Sequence, residues 1–344
     1  MARFCYRAAP METISVPSPR RRRLATMILT AVCLFWGATF LLMKLGTQSI
    51  FAVFGSDWKV AGGAFFLLVR FALAAAMMPL FLPQSVRRCN KAAWKHGFWL
   101  STVFAGGFLL QIFGLTQDDV PAGQSAFLTS LYVVSTPIFS SIILRRWPSK
   151  GVMLGVALAT VGAAFIKGLP ETGLSIGAWA TLGCAVVFGG HIVLTDVLTR
   201  KSDALALTFT MLVWSTLWMI LALSLSPDAG RALDVSSLEA VFASPMFWIT
   251  ELLCAFLATV LALSMLNVWQ KELSPSRAAV VYTSEPVFAT LLSLGATAFI
   301  GGIIPIEAHE HFSWWLVFGA AMILLANLSA EFVGRAAPKT DPTA

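Results

Sequence analysis

A chain of 344 residues that is 58% hydrophobic and 12% charged falls far below the roughly 25% charge of soluble domains, which excludes an ordinary water-soluble fold. Its net charge of +7 raises nucleic acid as a partner, but the placement of the basic residues assigns the surplus to membrane topology, so no nucleic acid is expected. The cysteines Cys5, Cys33, Cys89, Cys184 and Cys254 are scattered, three of them inside apolar runs, which fits neither a disulfide framework nor a zinc spacing.

Residues 1–23 form a basic tail whose Arg20 to Arg23 directly precede the first apolar run. That run is too long for a signal-peptide core and lacks a small-residue cleavage site, so it is read as an uncleaved membrane helix. Apolar runs of spanning length, about 17 to 25 residues, fall at 24–46, 61–83, 97–117, 121–143, 150–167, 176–199, 205–225, 246–268, 278–300 and 313–333, followed by a tail at 334–344. They predict an all-α polytopic membrane protein of ten transmembrane helices.

With the N-terminus in the cytoplasm, the loops expected inside carry Arg87, Arg88, Lys91 and Lys95, then Arg145, Arg146 and Lys150, then Arg200 and Lys201, then Lys271 and Arg277. Those expected outside carry only Lys59, Lys167 and Arg231. Lys and Arg accumulate on the cytoplasmic side of a bilayer, so both termini are placed in the cytoplasm and the chain in the inner membrane.

Two motifs recur. Ser135-Thr136-Pro137-Ile138-Phe139 is answered by Ser284-Glu285-Pro286-Val287-Phe288, and Trp36-Gly37-Ala38-Thr39 by Phe188-Gly189-Gly190-His191. The offsets, 149 from Pro137 to Pro286 and 152 from Gly37 to Gly189, are nearly equal and imply two five-helix repeats, 24–167 and 176–333. Because five is odd, the second repeat enters the membrane inverted relative to the first. Inverted repeats with interrupted helices at their interface characterise alternating-access transporters.

On these residues the chain resembles the ten-helix, EamA-type branch of the drug/metabolite transporter superfamily. The likeness rests on Trp36-Gly37, on Arg70, and above all on the stretch Leu273-Ser274-Pro275-Ser276-Arg277-Ala278-Ala279 leading to Tyr282 and Glu285-Pro286-Val287-Phe288-Ala289. It extends over about residues 24–333. Where the family often has a Glu after the fourth and ninth helices, this chain has Arg145-Arg146 and Gly301-Gly302, so no gating role is carried to those sites. The loop Ile303 to Phe312 is longer than usual for the family.

Arg70 lies about 14 Å along the second run, near the midplane. Charge is costly there, so Arg70 is either a substrate anchor or partner for Glu285, or a structural group bonded to helix carbonyls. An Arg at this place is usual across members with different substrates, and the resemblance therefore favours the structural role. Glu285 lies about 10 Å from the cytoplasmic end of the ninth run, next to a proline that frees a backbone carbonyl. It is read as a cavity carboxylate able to bind a cation or a proton, or as a kink-stabilising group that never changes state.

Trp36, Thr39, Gln111, Gln124, Tyr132, His191 and Tyr282 complete the candidate substrate cavity, with Pro137 and Pro286 as hinges. Gln111, Gln124 and Tyr132 serve equally well as glue between helices. Lys44 and Asp196 are placed near helix ends, snorkelling to the interface, and Glu251 near the outer interface. Glu307, His309, Glu310 and His311 read as a solvated loop rather than metal ligands. No catalytic motif or cofactor site is evident.

These features predict a secondary-active transporter that moves a small organic metabolite by alternating access. The outward direction and the substrate class, an amino acid, amine or drug-like solute, come from the resemblance alone. No soluble stretch within the chain is long enough for a nucleotide-binding domain, so a solute or ion gradient is the expected energy source, with the proton as candidate coupling ion. The alternative is an intramembrane enzyme or lipid-handling protein using Glu285, His191 and Asp196.

Overall fold

The computed structural model describes residues 18–117, 120, 122–145, 147–167, 175–300 and 314–332, and all regular structure among them is helical. In chain order come α1 (Pro19–Phe54), α2 (Lys59–Phe81), α3 (Lys91–Leu115), α4 in two pieces (Ala122–Ser130 and Tyr132–Leu144) and α5 (Lys150–Lys167). Then follow α6 (Ile176–Thr199), α7 (Ala204–Leu225), α8, which opens at Pro245–Leu253 and closes at Ala262–Trp269, α9 in two pieces (Pro275–Tyr282 and Glu285–Ile300) and α10 (Trp314–Phe332). Eight of these, all but α5 and α10, are long and apolar enough to cross a membrane. The apolar runs predicted ten spans; α5 and α10 are apolar helices at the expected places but fall short of that measure within the described residues.

Serine-proline pairs start several helices. Ser18, Ser244 and Ser274 each accept a hydrogen bond from the backbone N–H three residues on, and Pro19, Pro245 and Pro275 take the first helical position, where a missing N–H costs nothing. Asn90, Ser175 and Asp203 cap α3, α6 and α7 in the same way. Helix α1 outruns its apolar run because nothing breaks it until Gly55, whose φ of 91° lies in the region that favours glycine.

The interior is packed pairwise: α1 against the second piece of α9 and the first of α8, α6 against α3 and the second piece of α4, α7 against α2 and α3, and α5 against α10. At the last pair a Cβ on Gly162 would stand 2.8 Å from the Gly319 carbonyl oxygen, so small residues let the two backbones touch. Outward faces carry exposed apolar side chains such as Met27, Trp99, Ile142, Trp179 and Leu221, a surface suited to lipid. Trp147, in the loop between α4 and α5, and Trp314, at the start of α10, are strongly exposed, and tryptophan is enriched at membrane–water interfaces.

Three of the elements are irregular. α4 breaks at Leu131, six residues before Pro137, which lies inside the second piece. α9 breaks at Thr283-Ser284, directly before Glu285 and Pro286. The prolines named as hinges are therefore placed differently: Pro286 follows its break, whereas Pro137 is buried within a continuous helical piece. In α8 the segment Cys254–Leu261 is π-helical, a form that occurs mostly as local bulges at functional sites.

Candidate functional site

One cavity of about 50 Å³ lies between helices of both halves of the chain, room for a few waters. Helix α1 lends it Trp36 and Thr39, and α3 lends Phe104, Phe108 and Gln111. Thr129 and Tyr132 reach it from either side of the α4 break, and Phe188, His191 and Ile192 from α6. Leu263 and Leu266 of α8 and the pair Tyr282 and Glu285, which flank the α9 break, close it.

A polar network ties these side chains together. The Tyr132 hydroxyl donates to Glu285 Oε2 at 3.1 Å. Tyr282 donates to Gln270 Oε1 at 2.9 Å, and Gln270 Nε2 donates to the Ile192 carbonyl at 2.7 Å. Gln111 Nε2 donates to Thr129 Oγ1 at 3.5 Å, joining α3 to α4. The two tyrosine rings meet edge to face at 6.4 Å, and Trp36 meets Tyr282 at 5.6 Å. The His191 ring lies tilted against Phe104, with centroids 5.3 Å apart, while its Nε2, buried, has no hydrogen-bond partner. Breaking α9 places its carboxylate at the start of a helix, where the dipole favours negative charge. The carbonyl that Pro286 cannot bond, that of Tyr282, faces Cys33 Sγ at 3.8 Å.

The glycines of the repeated motif sit at the closest approaches. A Cβ on Gly37 would lie 2.7 Å from Ala289 N and 2.9 Å from Phe288 Cβ; one on Gly189 would lie 2.9 Å from Ser135 Cβ and 3.0 Å from Thr136 N. Each thus lets one half's motif helix press onto the other half's proline helix.

The profile of the EamA-like transporter family matches residues 23–168. A curated relative from Archaeoglobus fulgidus, named an uncharacterized transporter, is 31% identical over 314 residues, which cover 89% of this chain and 85% of the relative. The chain belongs to the EamA-like transporter family. A solved crystal structure shares the fold at a TM-score of 0.64, covering 91% of this chain and 98% of that one at 16% identity. This EamA-like chain is therefore a multi-pass membrane protein of a transporter family.

Of the candidates read from the sequence of this EamA-like chain, Trp36, Thr39, Gln111, Tyr132, His191, Tyr282 and Glu285 stand around the cavity. Gln124 is half-buried on α4 and does not line it. Arg70 does not line it either, and it is not paired with Glu285. It is fully buried, Nε donating to Thr259 Oγ1 at 2.8 Å and Nη1 to Met43 Sδ at 3.3 Å. Its guanidinium lies 5.0 Å from the centroid of Phe108, so one cavity-lining ring separates it from the cavity. Its acidic neighbour is Glu251, which is fully buried, six residues after Pro245 opens α8.

Arg70 also holds the π-helical segment. The Thr259 hydroxyl that accepts from Arg70 donates to the Cys254 carbonyl five residues back, and the Ala258 carbonyl next to it takes the Trp36 indole N–H at 3.1 Å. A chain of bonds thus runs from Arg70 through α8 to a cavity side chain.

Of the two placements near helix ends, that of Lys44 is corrected, while Asp196 does lie in the last turn of α6 but is not snorkelling to solvent. Because α1 continues ten residues past Lys44, to Phe54, Lys44 is not terminal; its Nζ lies 3.5 Å from the Val120 carbonyl. Asp196 is buried and pairs with Arg200 at 2.8 Å, and Arg200 in turn donates to the Lys271 carbonyl. Among the described residues, no cluster of three or more His, Cys, Asp or Glu side chains is placed to hold a metal ion. Glu307, His309, Glu310 and His311, the loop Ile303 to Phe312, Gly301-Gly302 and Arg146 lie outside the described residues, as do residues 1–17 and 333–344.

Phe104 and Phe108 escaped the sequence reading, and Phe188 entered it only as the counterpart of Trp36 in the repeated motif, not as a cavity residue. Phe104, Phe108 and Gln111 follow one another at spacings of four and three, a single helical face, and that stripe was the available signal.

Proposed function

We propose that this chain is a secondary-active transporter that exports a small organic metabolite by alternating access between two inverted five-helix repeats, 24–167 and 176–333. The observation that carries the proposal is the cavity walled by α1, α3 and α4 of the first half and α6, α8 and α9 of the second. The pairing of helices supports the repeat: exchanging each helix for the one five places away turns the α1–α9 contact into α6–α4, α3–α6 into α8–α1, and α3–α7 into α8–α2. The contacts α2–α7 and α5–α10 map onto themselves. The family match at residues 23–168 coincides closely with the first repeat.

In the mechanism, the halves rock about the cavity while the breaks at Leu131 and at Thr283-Ser284 absorb the backbone change. Glu285, buried at the break and bonded to Tyr132, is the group through which a proton would couple to the solute. The basic loops set the orientation, with both termini on the cytoplasmic side of the inner membrane. Flux in proteoliposomes tests the energy source. Solute is expected to move uphill only while an ion or solute gradient is imposed; uphill movement that persists after every gradient is collapsed overturns the proposal.

A further inference from the structure

The charge and chemistry of the cavity wall go further than transport in general. We infer that its solute is a small organic cation, a protonated or quaternary amine without a free carboxylate; this rests on the transporter reading above.

The charge is one-signed. Among the described residues, Glu285 is the only formally charged side chain lining the cavity, and no Lys or Arg joins it there. Arg70, which could have met an anion, is screened by the Phe108 ring and has its Nε committed to Thr259 and Nη1 to Met43. The start of the second piece of α9, where free backbone N–H groups could hold a carboxylate, is taken by Glu285 itself and followed by Pro286, which has no N–H. A solute carboxylate, whether on an anion or a zwitterion, would therefore sit near a buried carboxylate of like charge with no Lys or Arg of the described wall to receive it, and burying a charge without a partner from the protein is strongly unfavourable.

A cation meets the opposite conditions. Trp36, Tyr132, Tyr282, Phe104, Phe108 and Phe188 supply aromatic walls, and ring faces attract ammonium groups most where water is excluded. Among the lining residues, His191 has a buried Nε2 with no hydrogen-bond partner; in the tautomer that leaves Nε2 unprotonated it could accept one N–H of a protonated amine whose others go to the carboxylate, whereas a quaternary amine would rely on the carboxylate and the rings. With about 50 Å³ available, the solute is small.

Three probes with one isopropyl body separate the possibilities: isobutylammonium, the zwitterion valine and the anion 3-methylbutanoate. Binding to the purified protein is measured by calorimetry and by shift of the melting temperature. Isobutylammonium is expected to bind at least tenfold more tightly than the other two. Glu285→Gln, which keeps the acceptor for Tyr132, is expected to weaken that binding at least tenfold. If Glu285→Gln fails to fold, Phe188→Leu serves in its place and is expected to weaken it severalfold.

Equal or tighter binding of valine or 3-methylbutanoate, failure of all three to bind, or ammonium binding unchanged in the variant overturns the inference. Flux separates this inference from the transporter reading, using tetramethylammonium, whose permanent charge prevents unaided crossing. Valine flux without tetramethylammonium flux sinks the cation inference and keeps the transporter; ammonium binding with no flux of any probe keeps the cation site and sinks the transporter.

Discussion

Replacing Gly37 with alanine puts a methyl carbon 2.7 Å from the backbone nitrogen of Ala289 and 2.9 Å from Phe288 Cβ. Comfortable carbon contacts begin near about 3.5 Å, so α1 and α9 must part by something on the order of 0.7 Å. Neither obstacle is a flexible side-chain end, and overpacking of this kind costs about 1–3 kcal/mol. Against it stands the better helix propensity of alanine, about 1 kcal/mol. The same substitution at Gly106 or Gly295, where nothing stands within 4 Å of the added carbon, keeps the propensity gain alone. Gly37→Ala is therefore expected to be about 1–3 kcal/mol less stable than Gly106→Ala, roughly 5- to 150-fold in the folding equilibrium. Gly189→Ala, blocked by Ser135 Cβ and Thr136 N, is expected to behave like Gly37→Ala. Melting temperature and monodisperse yield in one detergent provide the assay. Gly37→Ala melting with or above Gly106→Ala would refute the close approach on which the packing of the two halves is argued.

Arg70→Lys cannot reproduce the fork that reaches both Thr259 and Met43, so folded yield is expected to fall; normal yield with lost solute binding would make Arg70 a binding residue instead. Thr259→Val removes the acceptor for Arg70 and the bond to Cys254, and is expected to cost about 2 kcal/mol, read as melting temperature. The pair Arg88 with Asp203, at 2.9 Å and partly solvated, is expected to contribute under about 1 kcal/mol, so Arg88→Ala should leave the melting temperature nearly unchanged. For coupling, Glu285→Gln is expected to keep the protein folded and to abolish the pH dependence of transport in proteoliposomes; an unchanged pH profile would remove Glu285 from the coupling step.

Much of this architecture is legible in the sequence for physical reasons. Apolar runs report helices because lipid leaves the backbone no other way to satisfy its hydrogen bonds, and the paired Gly and Pro motifs carry the signal on which the proposed duplication rests. Helix ends and interruptions are less legible. α1 continued through Gly46 and Thr47 to Gly55 because hydropathy falls before helical geometry does. α4 broke at Leu131 although Pro137 was the visible breaker, and the π-helical turn of Cys254–Leu261 carries no breaker at all; it is held by Arg70 from another helix.

The cavity was legible where residue chemistry contrasts with its surroundings, as Glu285, His191 and Tyr132 do. Phe104, Phe108 and Phe188 gave no such contrast among 26 phenylalanines. Periodicity names the residues on a face but not the neighbour that face meets, which is why the burial of Glu251 beside Arg70 was not foreseen.

Alternating access is tested most directly at Thr39, which lines the cavity from α1. With the native cysteines replaced, Thr39→Cys is exposed to a membrane-impermeant thiol reagent from one side of sealed vesicles or the other. Labelling from both sides, with bound solute protecting in each case, is the expected result. Labelling confined to one side under every solute and gradient condition would contradict alternating access.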